Sequence, residues 1–360
     1  MPQYDIAKTD VTNTTNTVDT YSVDSVNLDF VNSEGETEYT FPKATEYLGY
    51  YKNIPELKKA IDALAIWVTA QGYKTESMLD GTILDNIRGW GEDTIHSIFQ
   101  NLITMKKIVG DAFAEIIRND NGSLMNIKPI SPERMKIVVG PNGMIKRYEQ
   151  QQGDGKWIKF QPKDILHLCN DRVGDEIHGT SVVECVKWVI DARHEALTDH
   201  RKVLHRNVVP VRIIEVDTDD VAKRNALMAE YEKAINKGEV LVIPKGTVEI
   251  TDSQIQIQDP ISWIQYLENF FYQAVGVPRV IATSQEYTEA ASKVGFLTFE
   301  PIYTNEQTLL EQDLWNQIAI KLKFGRPPSL SGVLQESEEK NTGQTGIQPN
   351  EITATAGRVE

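Results

Sequence analysis

The sequence predicts an α+β protein, and three observations lead to that class. Apolar residues recur at helical spacing in stretches before residue 110, near residues 181–206 and after residue 259. Between the first two stretches, short apolar runs are separated by glycine-containing turns, which is typical of antiparallel strands. A smaller group of strand signals lies between the second and third stretches. Because helices and strands are grouped along the chain, the pattern favours α+β over alternating parallel units.

Length and composition bound the class of protein. The 360 residues are 40% hydrophobic and 25% charged, which is ordinary for a globular protein able to bury a sizeable core. The start, MPQYDIAKTD, lacks the features of a secretory signal, and no run approaches the ~20 apolar residues of a membrane span. We therefore expect an intracellular product with no membrane partner. The net charge of −15 argues against a protein that grips DNA phosphates, but not against one that DNA slides past.

The first half of the chain changes from helical to extended periodicity. Helices are predicted from Pro55 to about Gly72 and from about Glu92 to Val109. After them, alternating runs meet tight-turn signals at 120–122, 141–143 and 153–155, where Gly follows Asn or Asp. Such turns tolerate the positive backbone angles of hairpins. The pattern predicts an antiparallel meander that ends near Asp164–Leu168.

The second half contains a small insert between two helices. A long helix is predicted over about 181–206, followed by the strand VPVRIIEV and a helix over about 219–236. The extended pieces EVLVI, TVEI and SQIQIQ complete a β-α-β-β insert, and DPISWIQYLENFFYQAVGVP returns to helical spacing. A short loop and one more long helix, reaching roughly Leu322, follow. Pro301 lies inside this last helix and is predicted to kink it.

Both ends of the chain are polar. Residues 1–40 and those from about 325 onward are rich in Thr, Asn, Ser and acidic residues. Alone, neither segment can bury enough surface to offset the entropy of ordering it. We expect that neighbouring subunits would have to hold these arms.

The cysteines and the histidines of one helix do not form a metal-ligand pattern. Cys169 and Cys185 are too few for a disulfide framework or a zinc knuckle and are interpreted as small buried hydrophobic residues. Asp191 and His194 lie one helical turn apart and could supply two ligands, but no third is evident, and His205 is three turns away. A solvated or subunit-facing polar surface is the simpler interpretation.

Other polar groups also favour structural roles. His167 lies in a strand-like run, where a satisfied structural histidine is favoured over a catalytic base. Asp171, Asp175 and Glu176 form the densest acidic group near a predicted loop, but no basic groove accompanies them, as a metal-dependent nuclease would require. The chain has no phosphate-binding loop, no G-x-S-x-G elbow and no H-E-x-x-H motif. We predict no catalytic residue, no cofactor, no metal ligand and no enzymatic activity.

The order of several motifs resembles a known family. GDAFAEIIRNDNGSLMNIKPISPERMKIVVGPNGMIKRYEQ, then KFQPKDILHLCN and HGTSVVECVKWVIDA, resemble the wing of tailed-virus portal proteins of the HK97-like and SPP1-like type. FFYQAVGVPRVIA resembles the family's "f-g-V-P" segment, and TEAASKVGFLTFEPIYTNEQTLLEQDLWNQI resembles the long helix after it. Each motif alone is weak, but their order and spacing over roughly residues 50–322 are more specific.

The resemblance implies a portal fold with an antiparallel β wing, a two-helix stem, a small β-α-β-β clip and a long kinked C-terminal helix. Carried onto this chain, the implied regions are an N-terminal polar arm at 1–40, a wing at 41–180, the first stem helix at 181–207, a clip at 208–258, the second stem helix at 259–278, a channel (tunnel) loop at 279–287, a long wing helix at 288–324, and a polar C-terminal arm or reduced crown at 325–360. The arm at 1–40 matches no part of the family pattern.

The resemblance also implies a function and partners. The chain would be a portal (head-tail connector) subunit, one of a cyclic ring of usually twelve copies at a capsid vertex of the virion, through which double-stranded DNA is packaged and ejected. Implied partners are the major capsid protein, the large terminase and a head-completion or adaptor protein, with assembly in the host cytoplasm. Arg279, Gln285, Tyr287 and Lys293 are the implied candidates for lining the DNA channel. The alternatives are another virion structural or adaptor protein and a metal-dependent viral nuclease.

Overall fold

The fold is seen in a computed structural model, which describes residues 30–31, 35–208, 212–216, 220–226, 228–229, 248–252, 261–283 and 289–327. These residues form two compact units. The first contains the chain up to Cys185 and from Tyr272 onward, and the second contains Val186–Phe271.

The first unit begins with strands and helices that precede the second unit in the chain. In order, they are β1 (Phe30–Val31), β2 (Thr37–Thr40), α1 (Ala44–Asn53), α2 (Pro55–Thr69), β3 (Tyr73–Thr75), α3 (Met78–Asp85), α4 (Ile95–Val109), β4 (Asp111–Arg118), β5 (Leu124–Ile130), β6 (Met135–Val139), β7 (Ile145–Gln151), β8 (Trp157–Phe160), β9 (Ile165–Cys169) and α5 (Val182–Cys185).

Helices α2 and α4 confirm the two helices predicted in this part of the chain. Pro55 is the first residue of α2, where a missing N–H costs nothing. Thr94 and Ser97 form a capping box before α4, and Gly110, with φ of 97°, ends it. Their apolar stripes are buried, including Leu57 in α2 and Leu102 in α4. Helices α1 and α3 were not predicted, because each buries too few residues to show a helical period.

The predicted hairpins are confirmed, but they belong to two sheets. Strands β5, β4 and β9 form a three-stranded antiparallel sheet, and β1, β2, β6, β7 and β8 form a five-stranded one, in those orders. Gly122, Gly143 and Gly155 occupy the hairpin turns with positive φ. The chain passes between the sheets through single 3₁₀ turns at Pro132–Arg134 and Pro162–Asp164. The expectation of one continuous meander was therefore wrong.

A shared apolar core explains why the hairpins divide into two sheets. Residues of both sheets pack into one buried cluster, whose members are Phe113, Ile130, Met135, Ile137, Val139, Tyr148 and Ile165. Strand β2 pairs with β6 over 37–40 and extends the larger sheet. Glu36, just before β2, is buried and paired with Lys146 and Arg147. The end of the predicted polar arm therefore belongs to the folded unit.

The second unit contains two helices and a two-stranded sheet. They are α6 (Lys187–Val208), β10 (Arg212–Val216), β11 (Val248–Asp252) and α7 (Ile261–Val275), whose last four residues belong to the first unit. Strands β10 and β11 pair antiparallel, and residues 221–226 and 228–229 are helical. These elements agree with the predicted helix–insert–helix order. The predicted pieces EVLVI and SQIQIQ lie outside the described residues.

The chain then returns to the first unit as α8 (Arg279–Ala282), α9 (Glu289–Ile318) and β12 (Leu322–Phe324). Helix α9 is continuous through Pro301, and the kink expected there remains a prediction. The long helix was predicted to reach about residue 322, and this was wrong. Ala319 adopts a φ of 59°, which ends the helix, and β12 pairs with β3.

Helix α9 joins distant parts of the first unit through polar side chains that face inward. Gln317 donates to the backbone oxygen of His167 and accepts from its N–H, at 2.9 and 2.7 Å. Gln307 is buried and donates to Val68 O and Gly325 O. These side chains satisfy backbone groups that would otherwise be buried without partners.

No helix in the described part of the chain has the length and apolar character needed to cross a membrane.

Candidate functional site

The motif residues quoted from three separate segments meet around Asp111, at the start of β4. Gly110 and Gly179 approach so closely that a Cβ on either would collide with the backbone oxygen of the other. Asn170 N–H donates to Gly110 O at 2.8 Å, and Thr180 N–H donates to Asn170 O at 2.7 Å. Glycine is therefore required at both positions, because backbone rather than a movable side chain fills the space.

Asp111 is the buried centre of this cluster. One carboxylate oxygen is hydrogen-bonded to His167 Nε2 at 2.8 Å. The other is bonded to His178 Nδ1 at 3.2 Å and accepts from Gly179 N–H at 3.1 Å. Burial alone would raise the pKa of Asp111, but the hydrogen bonds from His167 and His178 outweigh it and hold the pKa well below its usual range. The carboxylate is therefore ionised at neutral pH.

His167 uses both ring nitrogens inside the cluster. Its Nδ1 lies 3.1 Å from the Tyr148 hydroxyl, and its ring stacks on Phe113 with 4.5 Å between centroids. Strand β9 brings it opposite Phe113 in β4, so the two rings share one face of the small sheet. These contacts agree with the interpretation of His167 as a satisfied structural residue.

The serine of the H-G-T-S segment, Ser181, has a structural role. Its hydroxyl donates to Ile108 O and accepts from the N–H groups of Val183 and Glu184, at 3.1 and 3.3 Å. It therefore caps α5 while holding that helix to the end of α4. Lys107 adds a 2.7 Å hydrogen bond to Asn170 Oδ1. Polar contacts thus hold together the segments around residues 110, 170 and 180. The sequence did not predict that these segments meet.

The cluster could in principle offer ligands to a metal. Among the residues described, Asp111, His167 and Cys169 are the one group of three whose ligand atoms lie within 4.8 Å of one another. However, an ion would have to displace the bonds that already occupy both oxygens of Asp111. Burial raises the pKa of the Cys169 thiol, and the Asp111 charge raises it further, so the thiolate that binds metal is disfavoured. The arrangement is suited to joining segments.

The other polar groups weighed in the sequence lie at the surface. Asp191 and His194 are both exposed on α6. Asp171, Asp175 and Glu176 are exposed in the segment between β9 and α5. Neither set belongs to a three-ligand group in the described ranges.

The V-G-V-P segment makes a sharp exit from α7. Gly276 has a φ of 79°, and its N–H donates to Gln273 O while Val277 N–H donates to Tyr272 O. This pair of hydrogen bonds is a Schellman motif. Pro278 prevents the helix from continuing, and the one-turn helix α8 follows. A Cβ on Gly295 would lie 2.5 Å from Val280 Cγ1, so this glycine lets α9 pack closely on α8.

The four predicted channel residues follow this exit in the sequence. Arg279 opens α8 and Lys293 lies near the start of α9, and both side chains are half-buried. The predicted loop over 279–287 therefore begins with a turn of helix. Gln285 and Tyr287 lie outside the described residues.

The second unit carries an aromatic ladder, which sequence reasoning did not single out. On α7, Trp263 stacks on Tyr266 and Tyr266 contacts Phe270 edge-on, with centroids 5.6 and 5.2 Å apart. Phe270 in turn contacts Trp188 of α6 at 5.3 Å. Trp188, Trp263 and Tyr266 are each 52% exposed. The i, i+3, i+7 spacing of the three aromatic residues on α7 was the sequence signal for this ladder. From the sequence, only a helix is predicted here.

Comparison with known proteins places these features in a family. The sequence profile of the family described as phage portal protein matches residues 91–324, which is more than half of the chain. No curated protein sequence matches the chain.

Several solved structures share the fold. A chain from the virion of a native gene transfer agent particle has a TM-score of 0.66 and 18% identity, covering 85% of this chain and 90% of that one. A chain from the neck of an empty gene transfer agent particle, computed with C6 symmetry, gives 0.66 and 18%, with coverages of 87% and 92%. An HK97-family phage portal protein from Corynebacterium diphtheriae gives 0.50 and 12%, with coverages of 80% and 96%.

At these identities the structural likeness shows the shared fold alone, and it agrees with the predicted α+β class. The family match rests on the sequence itself and runs through both compact units. The chain belongs to the phage portal protein family.

Proposed function

We propose that this chain is the portal, or head-tail connector, subunit of a tailed virus. Copies form a closed ring of twelve at one vertex of the virion, and double-stranded DNA passes through its channel during packaging and ejection. The observation that carries the proposal is the family match over residues 91–324. The fold shared with chains from gene transfer agent particles supports a ring, since one of those necks was computed with C12 symmetry.

We assign the regions of a portal to the two units. The first unit forms the wing, and α6 and α7 form the stem, with the β10–β11 segment as the clip at its far end. The segment after α8 is the channel loop, and α9 is the long wing helix. Most of the two predicted polar arms, at 1–40 and 325–360, lies outside the described residues.

The proposed role is structural rather than enzymatic. The buried Asp111 cluster, whose carboxylate is occupied by hydrogen bonds, supports a structural interpretation of the most polar part of the fold. The net charge of −15 per copy suits a channel that DNA must slide through without adhering. Proposed partners are further copies of the chain, the major capsid protein, the large terminase, a head-completion or adaptor protein and the passing DNA, with assembly in the host cytoplasm.

Mass measurement tests the ring. We expect the purified chain, at 40.6 kDa, to form a single large species of about twelve copies in mass photometry. The same sample should not cleave duplex DNA with Mg²⁺ or Mn²⁺. A monomer that cleaves DNA would favour the nuclease alternative, and a small complex that binds only preformed portals would favour the adaptor alternative.

Local positive charge near the channel loop is proposed to offset the acidic ring. Lys293 and Arg279 flank the segment that contains Gln285 and Tyr287. We expect the Lys293→Gln/Arg279→Gln double variant to assemble normally but to package DNA with an altered dependence on salt, because phosphate contacts are screened by ions. Lys159→Gln, an exposed change on β8, serves as the matched control. Packaging with unchanged rate and salt dependence in the double variant would contradict the assignment.

A further inference from the structure

The outer face of α9 is unusual because it carries no charge. From Val294 to Asn316, every exposed side chain is uncharged: Val294, Thr298, Pro301, Ile302, Asn305, Leu309, Gln312, Trp315 and Asn316. We call these nine residues the α9 strip. Its large apolar members remain 38–60% exposed in the single chain.

The charged residues of the same part of α9 are buried or half-buried instead; they are Glu300, Glu306, Glu311 and Asp313. Glu306 is buried and pairs with Lys106 and Lys107 of α4. Glu311 accepts a 2.8 Å hydrogen bond from Phe324 N–H. Asp313 is half-buried. The charged residues of α9 thus lie off its exposed face, whereas a solvated surface helix places its charges outward.

Another long helix of the same chain shows the ordinary pattern. On α6, the exposed positions include Asp191, Glu195, Asp199, Arg201 and Lys202. The absence of charge on the α9 strip is therefore a local property in a chain that is 25% charged. Depletion of charged residues, with aromatic and aliphatic side chains left exposed, is the compositional mark of a protein–protein contact.

We propose that the α9 strip is covered by a neighbouring copy of this chain in the ring, an inference that rests on the proposed function. The lack of charge on the strip indicates which molecule covers it. DNA needs cations to pair with its phosphates, and the strip offers none. A second copy carries the same net charge of −15, so two copies can pack here only where neither buries a like charge.

The strip also has the shape for such a contact. It follows one side of the helix over about six turns, or roughly 35 Å. A closed ring is built from heterologous contacts, in which one face of each subunit meets a different face of the next. A ridge of uncharged side chains, repeated in every copy, is a surface that can form the same contact around the whole ring.

A charge-insertion experiment tests the strip. Asn305→Glu/Gln312→Glu places carboxylates on two exposed polar positions, so the folded subunit should keep its melting temperature and circular dichroism. We expect at least a roughly tenfold loss of rings at fixed protein concentration, because each subunit contact would bury unpaired charge. Met144→Glu, at a 68% exposed turn position, is the matched control and should leave the rings unchanged.

Cysteine labelling identifies what covers the strip. In an Asn305→Cys variant, the thiol should react with a maleimide in dissociated subunits and be protected in rings, as read on the labelled peptide by mass spectrometry. Reaction in both states would mean that the strip faces solvent or the channel, and would overturn the proposal. Protection in both states would mean that an arm of the same chain covers it, which would overturn it equally.

These outcomes are distinct from failure of the proposed function. If the wild-type chain never forms rings, the proposed function and the strip proposal both fail. If wild-type rings form while Asn305→Glu/Gln312→Glu rings are equally abundant, only the strip proposal fails.

Discussion

Replacing Asp111 with alanine is expected to destabilise the first unit by roughly 3–5 kcal/mol, the usual cost of removing one member of a buried, hydrogen-bonded charged cluster. The change would leave His167, His178 and Gly179 N–H without their acceptor. Urea unfolding followed by circular dichroism measures the loss. Asp154→Ala, which removes the half-exposed partner of the exposed Lys156, is the control and should change stability little.

The same residue predicts how stability depends on pH. The folded-state pKa of Asp111 is lowered, so its contribution is fully present above the unfolded value of about 3.9 and is lost as pH falls through that value toward the folded pKa. Asp111→Asn should therefore lose less stability than the wild type between about pH 5 and pH 2. Equal acid sensitivity in the two proteins, or a fully stable Asp111→Ala variant, would contradict the assigned role of this carboxylate.

Replacing Glu306 with glutamine is expected to destabilise the protein by about 3–5 kcal/mol, because Lys106 and Lys107 would remain buried without a counter-charge. Burial alone would raise the pKa of Glu306, but the two lysine charges outweigh it and lower the pKa. The residue is thus a carboxylate that ties α9 to α4. The same urea titration measures the effect.

Two further variants separate the buried pair from a surface effect. Glu184→Gln breaks the exposed ion pair with Lys43, whose side chains are 52% and 48% exposed, and should cost less than about 1 kcal/mol. Lys106→Met combined with Glu306→Gln should recover part of the loss, since one uncompensated charge is removed. Equal effects of Glu306→Gln and Glu184→Gln would show that burial does not determine the strength of the α9–α4 contact.

Local signals in the sequence predicted much of the fold. Pro55 and Gly110 mark helix ends, and the glycines at 122, 143 and 155 mark hairpin turns, because each has a backbone requirement that a single residue reveals. Which hairpin joins which sheet is decided by packing around Phe113 and Tyr148, and this depends on contacts distant in sequence. That is why one meander was expected where two sheets form.

Helix α9 shows a second limit of sequence reasoning. Its buried or half-buried charges and uncharged outer face weaken the apolar period by which a buried face is recognised. Its end at Ala319 depends on a left-handed residue and on the pairing of β12 with β3, and a helical pattern does not foresee either. The uncharged outer face that weakens the pattern is also the basis for the contact surface that we propose.

The residues of the Asp111 cluster lie within the portal-like motifs, but the sequence did not predict that they form one site. Gly110, His167 and Gly179 lie up to about 70 positions apart, and their meeting depends on the pairing of β4 with β9. The signal available was chemical: glycines beside isolated polar residues in otherwise apolar segments indicate close backbone approach around a buried polar group.

Cryo-electron microscopy of the purified 360-residue chain tests the proposed ring. We expect a hollow ring of cyclic symmetry, wide enough at its centre for duplex DNA, with α6 and α7 of each copy around the channel and α9 in contact with the next copy. Particles without a central channel, or a monomeric protein under all conditions of salt and concentration, would contradict it.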